Sequence, residues 1–343
     1  MKTYEDYTTA VICAMGFEMS AVRFMLDGEE HPSLPRQPGD QNQYVLGQMS
    51  GHNVVLAWLP AVQGKGAAAV VATNLERTFP SLQWRFMVGI GGGVPNTKED
   101  IRLGDVVVST PDGRHGGVVQ YDLGKDTDSG FILKGFLKAP PSYMTTAVVK
   151  MQSDHFVREN KVEEFVATLV QRHRRLQVYQ RPPAETDVLF DDPDDRSQIS
   201  MRQARQGSGP EIHYGLIASG DRVMRSAIKR DSEVENIGGI LCFEMEAAGL
   251  ATEYSCIVIR GISDYADSHK NDTWQHYAAA AAAACTKELL TYIEPMVPTE
   301  PAADSTPRTS VGEQSTAHSS FVGRGINNVG RGNFSVGGNV HIS

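Results

Sequence analysis

The stretch FMVGIGGGV, residues 86–94, indicates the fold more directly than any other part of the chain. It opens with large apolar residues, as in a buried strand, and four glycines then fall within residues 89–93. Because glycine has no side chain, a backbone rich in it can approach a sugar or an anion closely. The stretch therefore predicts a buried strand that runs into a glycine loop beside a ligand.

Strands and helices alternate on both sides of this stretch. Before it, the apolar spacing predicts a strand, a helix, a hairpin and a second helix at residues 8–15, 18–26, 44–60 and 64–79. After it, further strands and helices follow at residues 104–110, 213–220, 238–254, 256–264 and 274–293. This alternation predicts an α/β fold, a three-layer sandwich around a mixed central β-sheet.

The bulk composition limits the class of protein and its partners. The chain has 343 residues, of which 41% are apolar and 21% charged, as in a soluble globular protein. A net charge of −9 argues against a nucleic-acid partner. No segment approaches the ~20 apolar residues that span a bilayer, so we expect no membrane partner.

The cysteines and histidines give no support for a metal or another cofactor. The four cysteines lie apart in apolar stretches, as buried thiols do in a reducing compartment, and the N-terminus has no secretory signal. The ten histidines show neither HxH nor HExxH spacing. We therefore expect a cytoplasmic protein without a cofactor.

Changes of composition predict three parts of the chain. Residues 1–295 form the main domain, and an insertion at about 151–210 either covers the active site or is a solvated excursion. Residues 296–320 are rich in proline, serine and threonine, as in a flexible linker. Residues 321–343 are rich in glycine and asparagine with interspersed Val, Ile and Phe. That composition suits a cross-β, amyloid-like interaction motif, although a mere flexible tail has the same composition.

Five stretches in order carry a resemblance to the nucleoside phosphorylase/nucleosidase superfamily. They are AVICAMGFEMSAV, VGIGGGVPN, IASGDRVM, CFEMEAAGL and IRGISDYAD, and the resemblance extends over residues 8–293. Within the superfamily the chain is most similar to the domain carried by fungal NACHT and ankyrin-repeat receptors. Related effector domains are nucleosidases, and some of them act on ATP. The resemblance thus implies a purine nucleosidase that serves as an immune or cell-death effector.

The resemblance assigns roles to several acidic residues. Asp264, helped by Ser263, would be the general acid that faces purine N7, and Glu18 would activate the attacking water. Glu246 would accept hydrogen bonds from the ribose 2′- and 3′-hydroxyls, with Met245 packed against the sugar. Taken alone, Asp264 also fits a helix N-cap, and Glu18 fits an exposed glutamate in the first turn of a helix.

The two acids in CFEMEAAGL need a partner if they are buried. An unpaired buried carboxylate costs several kcal/mol, so proteins seldom keep one without a partner or a ligand. For Glu246 the resemblance implies that this partner is the substrate. The role of the neighbouring Glu244 is left open.

Substitutions near the glycines bear on the type of reaction. Gly91 and Gly92 would let the backbone approach the sugar. Phosphorylases of the superfamily carry an arginine and a serine that grip inorganic phosphate, where this chain has Met87 and Ile90. Apolar side chains bind a desolvated dianion poorly, so the substitutions favour water as the nucleophile.

The resemblance also predicts where the base and any phosphates bind. Ser219, Gly220 and Val223 would line the base pocket, although family nucleosidases often have an aromatic residue near Val223. A purine is expected, with adenine favoured over guanine.

Basic residues near these stretches could hold a phosphorylated substrate. Arg114, His115 and Arg222 could clamp a polyphosphate at the 5′ end, but an ordinary solvated loop explains them equally well. His115 would reach across a subunit interface, so we expect a homo-oligomer, with a dimer as the first choice.

Two other functions are open at this point. One is a phosphate-dependent purine nucleoside phosphorylase, and the other is a catalytically silent nucleotide-sensing module that controls assembly. In either case the C-terminal motif could bind a receptor or assemble with itself.

Overall fold

The computed structural model describes residues 2–295, apart from residues 32, 33, 36, 97, 129, 193, 194, 206 and 208. The linker predicted at 296–320 and the interaction motif predicted at 321–343 lie outside the described residues.

Fourteen strands and seven α-helices are formed by the described residues. The strands are β1 Thr9–Cys13, β2 Gly28–Glu30, β3 Tyr44–Met49, β4 His52–Trp58, β5 Trp84–Gly93, β6 Val106–Ser109, β7 Val118–Gln120, β8 Gly124–Thr127, β9 Gly130–Leu133, β10 Phe190–Asp192, β11 Asp195–Ile199, β12 Ile212–Ser219, β13 Ile240–Glu244 and β14 Ile257–Asp264. The helices are α1 Gly16–Met25, α2 Lys65–Thr78, α3 Ser142–His155, α4 Val162–Arg172, α5 Ala227–Ile237, α6 Ala247–Ala251 and α7 Gln275–Leu290. Three short 3₁₀ helices are Tyr4–Asp6, Arg174–Tyr179 and Ala184–Thr186.

Ten strands form one mixed sheet, as the alternation predicts. Its order is β13-β12-β6-β14-β5-β1-β4-β3-β2, and β7 pairs with β12. The strand β13 also pairs with β5 in antiparallel register. Because β5, β14, β6, β12 and β13 each pair with the next and β13 returns to β5, this part of the sheet closes into a ring. The hairpin predicted at 44–60 is confirmed as the antiparallel pair β3 and β4.

The glycines at residues 89–93 lie inside strand β5, so the glycine loop predicted from the sequence is wrong. Strand β5 continues through Gly93, and Gly92 pairs with Phe243 of β13 on one side and Asp264 of β14 on the other. A Cβ on Gly92 would lie 2.8 Å from Asp264 Oδ1, and one on Gly91 would lie 3.0 Å from the Phe243 carbonyl oxygen. Glycine is therefore needed here because two neighbouring strands close on β5, which brings the ends of all three strands together.

Helices cover the sheet on both faces. Helix α7 packs on β14 and β5 with α1 and α4 beside it, whereas α2 contacts α6 and β4. The alanine run of α7, Ala278–Ala284, is buried, and its small side chains let the helix lie close to the sheet. At the point of closest approach, a Cβ on Gly261 of β14 would overlap the Ala278 carbonyl. The three-layer α/β fold predicted from the sequence is confirmed.

The segment at about 151–210 is divided between the core and the neighbourhood of the strand ends. Met151 in α3 and Val162, Val166 and Leu169 in α4 are buried in the main core. Farther along, Thr186, Val188 and Phe190 line a cavity that Asp264 also lines. This part of the segment therefore lies beside the strand ends where the site residues meet.

Candidate active site

A cleft of about 790 Å³ lies where β5, β13 and β14 end. Nine of the residues predicted for the site line it, namely Glu18, Gly91, Gly92, Arg222, Val223, Met245, Glu246, Ser263 and Asp264. Five separate segments of the sequence supply them, and the ring of strands brings those segments together. The cleft is therefore the candidate active site.

Glu18 is held at the floor of the cleft by backbone donors. It lies in the first turn of α1, but its side chain turns back toward the end of β1 and is almost completely buried. Oε2 accepts hydrogen bonds from the Ala14 and Met15 amides at 2.9 and 2.8 Å. Oε1 accepts one from the Ile90 amide of β5 at 2.8 Å. Burial raises the pKa of Glu18 above its ordinary value, although Arg260 and the amides oppose that change.

Glu244 forms a buried ion pair with Arg260. The guanidinium donates to Glu244 Oε2, and both side chains are 1% exposed. The same carboxylate accepts hydrogen bonds from the Glu246 and Ala247 amides at 3.1 and 3.0 Å, at the start of α6. Glu244 thus positions the turn that carries Glu246. Its partners are Arg260 and the amides at the start of α6, which answers what the sequence left open for Glu244.

Glu246 lines the cleft and has fewer partners than Glu244. Its Oε2 lies 3.6 Å from Arg260 Nη2, and its Oε1 accepts a 3.3 Å hydrogen bond from the Gly64 amide. Burial, with the nearby charges of Glu244 and Glu18, raises the pKa of Glu246 to about 7, against the opposing effect of Arg260. The carboxylate therefore retains acceptor capacity for hydroxyl groups of a ligand.

Asp264 is the last residue of β14, and its carboxylate lines the cleft and accepts hydrogen bonds from neighbouring groups. Ser263 Oγ donates to Oδ2 at 2.8 Å, and the Ala266 amide donates to Oδ1 at 3.0 Å. Ala266 has φ 54, in the left-handed region that residues with a side chain seldom adopt. Lys270 Nζ lies 3.0 Å from Asp264 Oδ2. The turn after β14 thus fixes the orientation of Asp264.

Ser219 and Gly220 support the cleft from behind. Ser219 is fully buried, and its Oγ accepts a 2.9 Å hydrogen bond from the Ala248 amide of α6. The Gly220 amide donates to the Glu244 carbonyl at 3.1 Å, and a Cβ on Gly220 would meet the Tyr121 ring at 2.6 Å. These groups bond to other parts of the protein and do not line the cleft, whereas Val223, which is 50% exposed, does.

Arg114 and His115 lie away from the cleft of their own chain. They line a separate cavity together with Leu123 and Phe136. Asp112 Oδ2 lies 3.1 Å from His115 Nδ1, and the His115 amide donates to Asp112 Oδ1 at 2.7 Å. Within one chain, Arg222 is thus the only member of the predicted basic trio that lines the cleft.

Sequence reasoning missed several polar residues of the site. Arg260 stands in the apolar strand CIVIRGISD, where a lone buried cation signals a buried acidic partner. Lys270, Gln63 and Gln275 also line the cleft, and nothing in their local sequence distinguishes them from solvated loop residues.

Two further findings concern metals and membranes. No cluster of His, Cys, Asp and Glu that could hold a metal ion is found among the described residues. In the same part of the chain, no helix is long and apolar enough to cross a membrane.

Residues 8–294 match the Phosphorylase superfamily, and the chain belongs to that family. It is 41% identical over 298 residues to a nucleotide-binding leucine-rich repeat (NLR)-like protein of Hyaloscypha variabilis. That alignment covers 85% of this chain but only 30% of the relative, so the chain spans under a third of the relative's length.

Among solved structures, the chain is similar to bacterial 5′-methylthioadenosine/S-adenosylhomocysteine nucleosidases. The enzyme of Neisseria meningitidis in complex with methylthio-immucillin-A is 21% identical, with a TM-score of 0.56 over 83% of this chain and 99% of that one. The Streptococcus pneumoniae enzyme with a transition-state inhibitor is 19% identical, with a TM-score of 0.55 over 84% of this chain and 100% of that one. At these identities the likeness shows that the fold is shared.

Proposed function

We propose that the protein is a purine nucleosidase that hydrolyses the N-glycosidic bond of an adenine nucleoside or nucleotide. Four carboxylates line one cleft of about 790 Å³, and three of them, Glu18, Glu246 and Asp264, are not engaged in the buried pair with Arg260 that Glu244 forms. Cleavage of an N-glycosidic bond passes through a cationic, oxocarbenium-like ribosyl group, which carboxylates stabilise. The structural relatives named above as nucleosidases add support from the shared fold.

Each carboxylate has a distinct part in the proposed reaction. Glu246 accepts hydrogen bonds from the ribose hydroxyls, because among the described residues its carboxylate accepts only a long hydrogen bond from the Gly64 amide and lies 3.6 Å from Arg260. Glu18 takes a proton from the attacking water, a task favoured by the raised pKa of its carboxyl group. Asp264 faces the leaving base, where a proton must reach N7 as the bond to the sugar breaks.

The position of Glu18 is the observation that supports water over phosphate. Its carboxylate already accepts the hydrogen bond of the Ile90 amide in β5, a donor that a bound anion would otherwise use. A phosphate dianion placed there would meet a carboxylate and the apolar side chain of Ile90, which lines the cleft. Arg260, the nearest cation, is 1% exposed and paired with Glu244. A nucleosidase is thus favoured over a phosphorylase.

A nucleotide such as ATP is the finer part of the proposal. The charged lining of the cleft comprises Glu18, Glu244, Glu246 and Asp264 against Arg222 and Lys270. A triphosphate therefore needs additional cations, which Arg114 and His115 of a partner subunit would supply.

Because these additional cations would come from a partner subunit, we propose a homo-oligomer, in the first instance a dimer. Apolar side chains that line the same cavity as Arg114 and His115 are exposed, with Leu123 at 46% and Phe136 at 93%. An exposed apolar patch of this kind is typical of a protein interface. A monomer in sedimentation experiments at micromolar concentration would contradict this part of the proposal.

The proposed setting is an immune or cell-death pathway in the cytoplasm. It is supported by the likeness to an NLR-like protein, and the C-terminal motif at residues 321–343 is proposed to recruit the domain to a receptor. Deleting residues 311–343 should abolish receptor-triggered assembly but leave the catalytic domain folded and active. Unchanged assembly of the truncated chain would contradict this role.

The activity is tested by incubating the purified full-length chain with ATP, adenosine or guanosine, each with and without inorganic phosphate. Release of adenine at a rate independent of phosphate supports the proposal, and ribose 5′-triphosphate as the second product identifies ATP as a substrate. Ribose 1-phosphate that forms only with phosphate would identify a phosphorylase.

Two variants separate an enzyme from a silent sensor. Asp264→Asn and Glu18→Ala should each lower hydrolysis by about 10²–10⁴-fold, as expected for the loss of an acid or base group. Nucleotide binding should persist in Glu18→Ala, as measured by calorimetry. A wild-type chain that binds nucleotide but releases no base, with or without assembly, would favour the sensor.

A further inference from the structure

The segment at about 151–210 reaches the turn that carries Asp264 through two charged residues. Asp187 follows the 3₁₀ helix Ala184–Thr186, and Arg202 follows β11. Their side chains form an ion pair, with Arg202 Nη2 at 2.9 Å from Asp187 Oδ2, and are 15% and 12% exposed. The pair thus joins the two stretches of chain that flank the hairpin β10–β11.

Both members of this pair contact Tyr265, the residue next to Asp264. The Tyr265 hydroxyl donates to Asp187 Oδ1, and the guanidinium carbon of Arg202 lies 5.5 Å from the centre of the Tyr265 ring, within the range of a cation–π interaction. Tyr265 is buried, and its burial together with Asp187 raises its pKa, so the phenol keeps the proton that it donates. Asp187 and Arg202 thus hold the tyrosine at its hydroxyl and at its ring face, and we call these two residues the tyrosine clamp.

The tyrosine clamp is itself anchored to the body of the domain. Arg202 Nη1 donates to the Ile101 carbonyl at 3.3 Å. Beside Asp187, Thr186 Oγ1 accepts a 3.1 Å hydrogen bond from Nε1 of the buried Trp274. A movement of Tyr265 would therefore break its contacts with a part of the chain that is fixed to the core.

The turn after β14 depends on such support. Ala266 has φ 54, a conformation that a residue with a side chain keeps only where its surroundings impose it. Its amide donates to Asp264 Oδ1 at 3.0 Å, so the turn also sets the direction of that carboxylate. Arg230 of α5 donates to the Tyr265 carbonyl at 2.8 Å. Tyr265 is thus held at its backbone by α5 and at its side chain by the tyrosine clamp.

We propose that the tyrosine clamp positions Asp264 for its part in the reaction, an inference that rests on the nucleosidase function proposed above. Neither Asp187 nor Arg202 lines the cleft, so both act through Tyr265. A side chain that takes part in a reaction must be held within about 0.5 Å of its productive position by the groups behind it. The segment at about 151–210 therefore supports the site without touching the substrate.

Two variants remove the clamp in different ways. Tyr265→Phe removes the hydroxyl and keeps the ring, and Arg202→Met removes the cation and keeps a side chain of similar length. Both should lower kcat on adenosine by about 10–100-fold and change KM by less than about threefold, because the proposed ribose contact of Glu246 lies elsewhere in the cleft. The control Arg175→Met changes an exposed arginine of the same segment and should behave as wild type.

A pair of ligands reports on Asp264 without turnover. In 9-deazaadenosine position 7 carries an N–H that donates to a carboxylate, whereas in 7-deazaadenosine the same position carries a C–H. The wild-type chain should therefore bind 9-deazaadenosine more tightly in calorimetry. Tyr265→Phe and Arg202→Met should weaken 9-deazaadenosine by about tenfold and 7-deazaadenosine by less than about twofold.

Several results would overturn the inference. Wild-type kcat in Tyr265→Phe would show that the clamp has no effect on the reaction, whether or not Arg202→Met folds. Equal weakening of the two ligands would show that the clamp merely maintains the fold, and equal affinity of the wild-type chain for both would show that Asp264 does not meet position 7 of the base. Absence of adenine release by the wild-type chain would refute the nucleosidase function itself, and the ligand pair alone would then decide the role of the clamp.

Discussion

Acidification below pH 7 should weaken the binding of ribose by Glu246. Burial beside Glu244 and Glu18 raises the pKa of Glu246 to about 7. A protonated carboxyl accepts hydrogen bonds from hydroxyl groups less well than a carboxylate does, so under the proposed function the free protein should bind substrate productively only in the ionised fraction. An exposed glutamate, with a pKa near ~4.3, would have no such effect above pH 5.

The size of the effect follows from the ionised fraction. At pH 6 a group with a pKa of about 7 is about one-tenth ionised, so kcat/KM should be about one-tenth of its plateau value. The loss steepens if Glu18 must also be ionised, because burial raises its pKa as well. In kcat the fall should move to lower pH, because hydrogen bonds from bound ribose favour the carboxylate.

The assay measures adenine release chromatographically from pH 5 to 9 at constant ionic strength. Adenosine is the substrate of choice because it carries no phosphate that titrates in this range. Glu244→Gln is the informative variant, since the loss of a neighbouring negative charge should shift the fall in kcat/KM toward lower pH. A kcat/KM that stays flat between pH 5 and 8 in the wild-type enzyme would refute the reasoning.

Three further predictions test the surroundings of the cleft. Gly89→Ala should abolish activity, because a Cβ there would overlap Glu18 and Arg260, whereas the control Gly16→Ala meets nothing within 4 Å and should stay active. Arg260→Met should lower the free energy of unfolding by about 3–5 kcal/mol, since it strands buried carboxylates, and adding Glu244→Gln should restore part of it in urea titrations. Glu246→Gln should raise the free energy of unfolding of the free protein by about 3 kcal/mol at pH 8 and by less at pH 5. The pKa of Glu246 is raised to about 7 on folding, so this carboxyl group destabilises the folded protein as the pH rises through that value, and glutamine avoids the loss. Equal melting temperatures of this variant and wild type at pH 8 would contradict the last prediction.

Local patterns were sufficient to predict part of the order of the elements, but not β2, β7–β11, α3 or α5. Apolar runs and turn residues identify β1 with α1, the hairpin β3–β4 and the long helix α7, because each depends on residues near one another in sequence. Local patterns were less informative about Gly91–Gly93 and predicted a loop there, because glycine is rare in strands. The pairing of β13 with β5, which makes these glycines part of a strand, joins segments about 150 residues apart.

The candidate site, like the fold, was predicted from the sequence only in part. The resemblance to the superfamily pointed to Glu18, Glu246 and Asp264, and the structure places all three in the lining of the cleft. The ion pair of Glu244 with Arg260 and the contact of Lys270 with Asp264 were not predicted. The sequence by itself thus determined the α/β class, the family and the acids at the strand ends. Only the tertiary structure decided which charges meet and that Arg114 and His115 lie outside the cleft of their own chain, because such contacts depend on strand register and on the closure of the sheet.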